Sequence, residues 1–103
     1  MEKKMYVIVR RDLAPIYKMV QGSHALVEFY KRYPKEFKNW NNEYLIFVEV
    51  PNYIKLLEMA DTLDKYEVPF VANHEPDLGG QMTALCLSGD HDCWCIGLPL
   101  ATL

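Results

Sequence analysis

Long apolar runs are missing from this sequence. None of its stretches approaches the roughly 18 consecutive apolar residues that a membrane-spanning helix needs, so no membrane partner is expected. The start, Met1-Glu2-Lys3-Lys4, passes straight into a short strand-like run; a secretory signal peptide is therefore not expected, and a cytoplasmic setting is. Cysteine is scarce. Cys86, Cys93 and Cys95 are odd in number and confined to the last fifth of the chain, which excludes a disulfide framework and favours free thiols. Paired Cys-x-x-Cys spacing is absent, and the alternating His91-x-Cys93-x-Cys95 leaves little room for three ligands on one ion, so no metal is expected. A Cys86–His74 nucleophile pair has no spacing to support it. A phosphate-cradling glycine loop is lacking as well, because Gly79-Gly80 precedes an apolar run and not a helix; no cofactor is expected.

What is present suits one globular domain spanning residues 1–103, with half of the residues apolar and 24% charged. The net charge of −3 is unevenly spread: residues 1–50 carry +3 and residues 51–103 carry −6. Such a split would make one basic face for a polyanion, while the acidic total opposes strong non-specific nucleic-acid binding. Solvated surface charge explains the same numbers.

Tyr6-Val7-Ile8-Val9 is an apolar run without polar alternation, as in a strand covered on both faces. Pro15 can open a helix, and Ile16 to about Tyr33 continues it with Ile16, Met19, Val20, Ser23, Leu26, Val27 and Tyr30 on one expected buried face. Gly22 and Ala25, with Phe29, lie on the other side of that helix. Small residues there permit close approach to the sheet or to a second chain, so a homodimer is among the expected partners. Pro34 interrupts the helix, Lys35 to Trp40 suits a further short turn, and Asn41-Asn42 is a break. Tyr44–Val50 reads as a second strand. Asn52 is a candidate N-cap for a helix over Tyr53–Tyr66 that would bury Ile54, Leu57, Met59, Ala60 and Leu63. Val68–Ala72 is a third strand, His74–Gly80 a loop, and Met82–Leu87 a fourth strand; Trp94, Ile96 and Leu98 of the tail would cover a sheet edge. The order βαβαββ predicts an α/β class fold, a three-layer α/β/α sandwich around a four-stranded mixed sheet. Its last connection is too short for another crossover, so the last strand should pair antiparallel or sit at a distance in the mixed sheet.

Tyr17, Gln21, His24 and Glu28 form one stripe of the first helix at i, i+4, i+7 and i+11. His24 would serve as a general base, since imidazole as a class titrates near neutrality, with Gln21 orienting a water or ribose and Glu28 holding the ring. A histidine packed at the sheet edge on a backbone carbonyl fits the same spacing.

Three segments, in order, resemble the type 2 peptidyl-tRNA hydrolase family. They are Val7-Ile8-Val9-Arg10-Arg11-Asp12-Leu13, Gln21-Gly22-Ser23-His24-Ala25 on the first helix, and Asp77-Leu78-Gly79 before the last strand. The resemblance implies hydrolysis of the ester joining a peptide to the 3′-ribose of tRNA, with peptidyl-tRNA as partner. It assigns the chemistry to a lysine, an aspartate and a threonine around the histidine-bearing helix, for which this chain offers Lys18, Asp77, Thr83 and His24. Tyr17, Gln21, Arg11 and Gln81 would meet the substrate. Tyr17 stands where the family has its lysine, and Gln81 where it has a threonine. A non-catalytic module that binds tRNA or a protein on the same fold is the alternative. Family geometry further predicts an ion pair of roughly 4 Å between Asp77 and Lys18, with the Asp77 loop beside the first half of the helix.

Overall fold

The computed structural model describes residues 3–102; the start at Met1-Glu2, on which the signal-peptide expectation partly rests, lies outside the described residues. Four strands form one sheet in the order β2-β1-β4-β3, where β1 is Lys4–Arg10, β2 Tyr44–Val50, β3 Phe70–Glu75 and β4 Gln81–Ser88. β1 and β2 pair in parallel, and β4 runs antiparallel to both β1 and β3. This is the mixed α/β sandwich that the element order predicts. Helices α1 (Pro15–Arg32) and α2 (Pro34–Trp40) cover one face and α3 (Tyr53–Lys65) the other.

The apolar run of β1 explains the layering. Met5, Val7 and Val9 alternate into the core beneath α1 and α2, while Tyr6 and Ile8 enter the core beneath α3. Pro15 opens α1, and Lys31 and Arg32 complement the negative end of its dipole. Pro34 does not end helical structure; it starts α2, which stops where Asn41 and Asn42 take left-handed φ values of 57° and 54°. Asn52 caps α3 by accepting from the Lys55 backbone N–H.

The packing of α1 corrects the expected face. Its buried residues are Lys18, Gln21, Gly22, Ala25 and Phe29, and the stripe of Ile16, Met19, Val20, Val27 and Tyr30 faces outward. Gly22 decides this: a Cβ there would come within 2.4 Å of the Phe47 ring, so only glycine lets the helix settle onto the sheet. On α3, Leu56, Ala60 and Leu63 are buried, Leu57 and Met59 pack partly, and Ile54 is exposed instead of buried. β3 starts and ends later than expected, because His74 and Glu75 continue the ladder to Gln81.

Two irregularities matter for function. Ala84 pairs with both Val9 and Asn73 while Met82 pairs with His74, so Thr83 is the extra residue of a β-bulge. The tail, in turn, covers the free edge of β2. Glu49 N–H donates to the Pro99 carbonyl, Ala101 N–H donates to that of Phe47, and Leu100 bridges antiparallel to Val48. Trp94 and Leu98 pack against the α3-side core, and Ile96 is exposed.

Candidate functional site

Polar side chains converge at the carboxyl ends of the parallel strands, where ligand sites gather in open α/β sheets. The centre is Gln21, fully buried on α1. Its Oε1 accepts from the Thr83 hydroxyl and from Asn73 Nδ2, both at 2.7 Å, and its Nε2 donates to Glu75 Oε2 at 3.0 Å. Thr83 also accepts from Asn73 Nδ2 at 3.1 Å, and the Asn73 carbonyl at 3.2 Å is the second acceptor within reach of its hydroxyl. The bulge brings this about, since it turns Thr83 onto the same side of the sheet as Ala84, toward α1.

The network ends on a carboxylate near the surface. Glu75 Oε1 accepts the Asp77 backbone N–H at 3.1 Å. That bond, together with the Gln21 amide and the nearby His24 imidazole, holds the Glu75 carboxyl below the usual carboxylate range. The chain then turns through Gly79 and Gly80, whose φ values of 64° and 80° suit glycine, before β4 begins. Tyr17 faces the same loop: partial burial raises its phenol, and the charges of Glu75 and Asp77 raise it further, so the hydroxyl stays a neutral donor. His24 is exposed one turn beyond Gln21. The Asp77 loop therefore lies beside the first half of α1.

Lys18 does not join this group. Its ammonium is buried on the opposite flank of α1, 3.3 Å from Glu49 Oε2 and 2.6 Å from the Thr102 carbonyl, so the expected ion pair with Asp77 is not formed. The reason is helical geometry: one residue is a rotation of about 100°, and Tyr17 holds the direction that Lys18 would need. Arg11 also goes to Glu49, its Nε 2.8 Å from Oε1. Glu49 further accepts the Thr102 N–H and hydroxyl. Burial pushes the Glu49 carboxyl up, but the bonds from Arg11, Thr102 and Lys18 outweigh it and hold the group below the ordinary range.

Two other expected roles shift. The Glu28 carboxylate lies 3.4 Å from Lys31, and Glu75 is the carboxylate near His24. The Gln81 amide oxygen accepts from Arg10 Nη1 at 2.9 Å; the same guanidinium grips both oxygens of Asp12 and lies 5.1 Å from the Tyr53 ring centre.

Asn73, Glu75 and Glu49 are absent from the residues picked out by sequence. Extending the third strand by three residues would place Val71, Asn73 and Glu75 on one face by alternation. A lone acid inside the apolar run Tyr44–Val50 calls for a buried cation. Hollow size is a poor guide here: a concavity of about 520 Å³ lies at the far end of the sheet, lined by Lys3, Lys4, Trp40, Gly89 and Asp92 among others. Among the described residues, no group of three or more His, Cys, Asp or Glu side chains is arranged to hold a metal ion, and no helix is long and apolar enough to cross a membrane.

A solved structure of a protein of unknown function from Agrobacterium tumefaciens strain C58 superposes with a TM-score of 0.72 at 12% identity, covering 99% of each chain, a likeness of fold. No curated protein matches. The model of the peptidyl-tRNA hydrolase PTH2 family matches residues 3–88, a span that takes in the Gln21–Thr83–Asn73–Glu75 network, and the chain belongs to that family.

Proposed function

We propose that this chain hydrolyses the ester between a peptide and the 3′-ribose of tRNA, at the surface where His24, Glu75 and Tyr17 border the buried Gln21 network. The observation that carries the proposal is the fully bonded chain Asn73–Thr83–Gln21–Glu75, which fixes a carboxylate beside the one histidine of α1. Such preorganisation suits water activation. His24 takes a proton from water as the oxygen attacks the ester carbonyl carbon, and Glu75 balances the imidazolium. The neutral Tyr17 hydroxyl donates to the developing oxyanion. The C–O bond to the ribose then breaks, and His24 returns the proton to the leaving 3′-oxygen. Asp77 keeps its backbone N–H on Glu75 and its carboxylate beside Tyr17. Lys18 and Arg11, held on Glu49, take structural roles in this scheme.

One observation favours a second reading, a module that binds the tRNA end without turnover. The lysine that the family would bring to the ester is replaced by Tyr17, and Lys18 is committed to Glu49. Two carboxylates, Glu75 and Asp77, border the site instead. Single-turnover peptide release from peptidyl-tRNA separates the readings. Hydrolysis predicts release above the buffer rate, with losses of about 10²-fold or more in His24→Ala and Glu75→Gln, in the range of general-base catalysis. Release at the buffer rate, with retained and steeply salt-dependent binding, would establish the module instead.

A further inference from the structure

The two edges of the sheet are finished differently. The tail covers β2, whereas among the described residues no segment pairs with the outer side of β3. The register shows which main-chain groups this leaves open. Arg11 N–H donates to the Val50 carbonyl and Tyr44 N–H to that of Lys3, so the main-chain groups of Met5, Val7 and Val9 face β2 and those of Tyr6 and Ile8 face β4. Their partners Leu87 and Leu85 face back to β1, which leaves Cys86 and Ala84 facing β3 and, opposite them, Val71 and Asn73 facing β4. The Asn73 carbonyl, 3.2 Å from the Thr83 hydroxyl, and the Glu75 carbonyl, which accepts from Gly80 N–H, agree with this. The extra residue of the bulge is on β4, so β3 keeps its alternation. Phe70, Ala72 and His74 therefore aim their N–H and C=O groups outward, and none of these groups has a partner among the described residues. Natural edges are blunted by lysine, proline or a bulged edge strand; Phe70–Glu75 has none of the three.

We infer that this edge holds the peptide part of peptidyl-tRNA, added as a fifth strand parallel to β3. The inference rests on the His24–Glu75 corner as the place of the ester. Glu75 ends β3 and lies near His24, so the esterified carboxyl end of the peptide sits at that end of the strand. The peptide then runs back toward Phe70, which is the parallel direction. At about 3.3 Å per residue the edge offers roughly 20 Å, room for about six residues of peptide. The chemistry of the substrate favours this kind of site over a side-chain pocket. Peptides carried on tRNA differ in sequence and share only a main chain. A strand edge binds that main chain and leaves the side chains pointing above and below the sheet.

The test is binding of amide-linked peptidyl-tRNA, in which a 3′-amino group on the terminal ribose replaces the ester oxygen and prevents cleavage. Affinity measured by filter binding should rise about tenfold or more from the N-acetylalanyl to the N-acetylhexaalanyl form, since each main-chain bond adds a few-fold. N-methylation of single peptide amides should weaken binding about fivefold at alternate positions and leave the positions between unchanged, because every second N–H faces β3. Amide exchange at Phe70, Ala72 and His74 should slow in the hexaalanyl complex and not in the acetylalanyl one. Equal affinities for the two lengths, or exchange unchanged at these three amides, would overturn the inference. Hydrolysis is read separately with the ester-linked forms. Release above the buffer rate with length-independent affinity would remove the added strand and leave the hydrolase. Length-dependent binding with protection of β3, but release at the buffer rate, would remove the hydrolase and leave the peptide on its edge.

Discussion

Replacing Glu49 with glutamine keeps the shape of the side chain and removes one charge from a buried cluster. Glu49 is 1% exposed, the Lys18 side chain 5%, and the Arg11 side chain 51%. The loss falls unevenly for that reason. Arg11 can turn to water at little cost, as surface pairs contribute only about 0–1 kcal/mol. Lys18 cannot, since its ammonium keeps only the Thr102 carbonyl and one amide oxygen. Leaving one partner of a buried pair costs about 3–5 kcal/mol, so Glu49→Gln should lose about 3 kcal/mol, or roughly 12 °C in Tm for a domain of this size. Urea denaturation followed by Trp40 and Trp94 fluorescence measures it. The double variant Lys18→Met, Glu49→Leu removes both charges together and should lie within about 1 kcal/mol of wild type. The pH dependence has a definite sign. The Glu49 carboxyl is depressed in the folded state, so its stabilisation is complete above the unfolded carboxylate range and is lost as pH falls through the folded value. Glu49→Gln should flatten that acid limb. A Glu49→Gln protein within 1 kcal/mol of wild type at neutral pH, with the acid limb intact, would refute the reasoning.

Gly22→Ala places a Cβ 2.4 Å from the Phe47 ring and 3.0 Å from Val7 Cγ1, and should destabilise by about 1–3 kcal/mol in the same urea assay. Thr83→Val removes the hydroxyl between Gln21 and Asn73 and should cost about 1–3 kcal/mol; peptide release should fall with it, since Glu75 is held through Gln21. Thiol labelling at pH 8 should titrate one fast group in the native protein, Cys93. Cys86 is buried with its thiol pushed up by burial, and burial with the nearby Asp92 pushes Cys95 up to about 12; two or three fast groups would contradict the packing.

The sheet was legible because its strands announce themselves by burial on both faces. β1 is built on the apolar run Tyr6–Val9, β2 is β-branched and aromatic, and the short link before β4 rules out another helical crossover, in keeping with its antiparallel pairing. The turn and cap residues Pro15, Asn41-Asn42 and Asn52 likewise act locally, so sequence suffices to place them. The face of α1 was not legible from hydrophobicity. Its most apolar stripe is outside, and the inside is Phe29 with two small residues and two buried polar groups. Those groups, Lys18 and Gln21, are tolerated only because Glu49 and Thr83 meet them from the sheet. That pairing joins residues 31 and 62 positions apart, beyond the reach of any periodicity. The motif Gln21-x-x-His24 and the glycine turn after Asp77 lie at the same corner of the molecule as the Gln21 network. The bulge at Thr83, which aims its hydroxyl, has no signature in sequence.

The family-matched segment stops at residue 88, yet the folding unit does not. A fragment cut there would carry every residue of the Gln21 network and still lose the strand of main chain that lies along β2. The carbonyl of Phe47 and the amide of Glu49 would lose their partners, and Lys18 would lose its shortest bond, to Thr102. Such a fragment would present a raw sheet edge over two half-matched charges, which is how well-defined domains become insoluble when trimmed to their homologous boundaries. Expression boundaries for this protein belong beyond Thr102, and an affinity tag sits more safely at the opposite terminus.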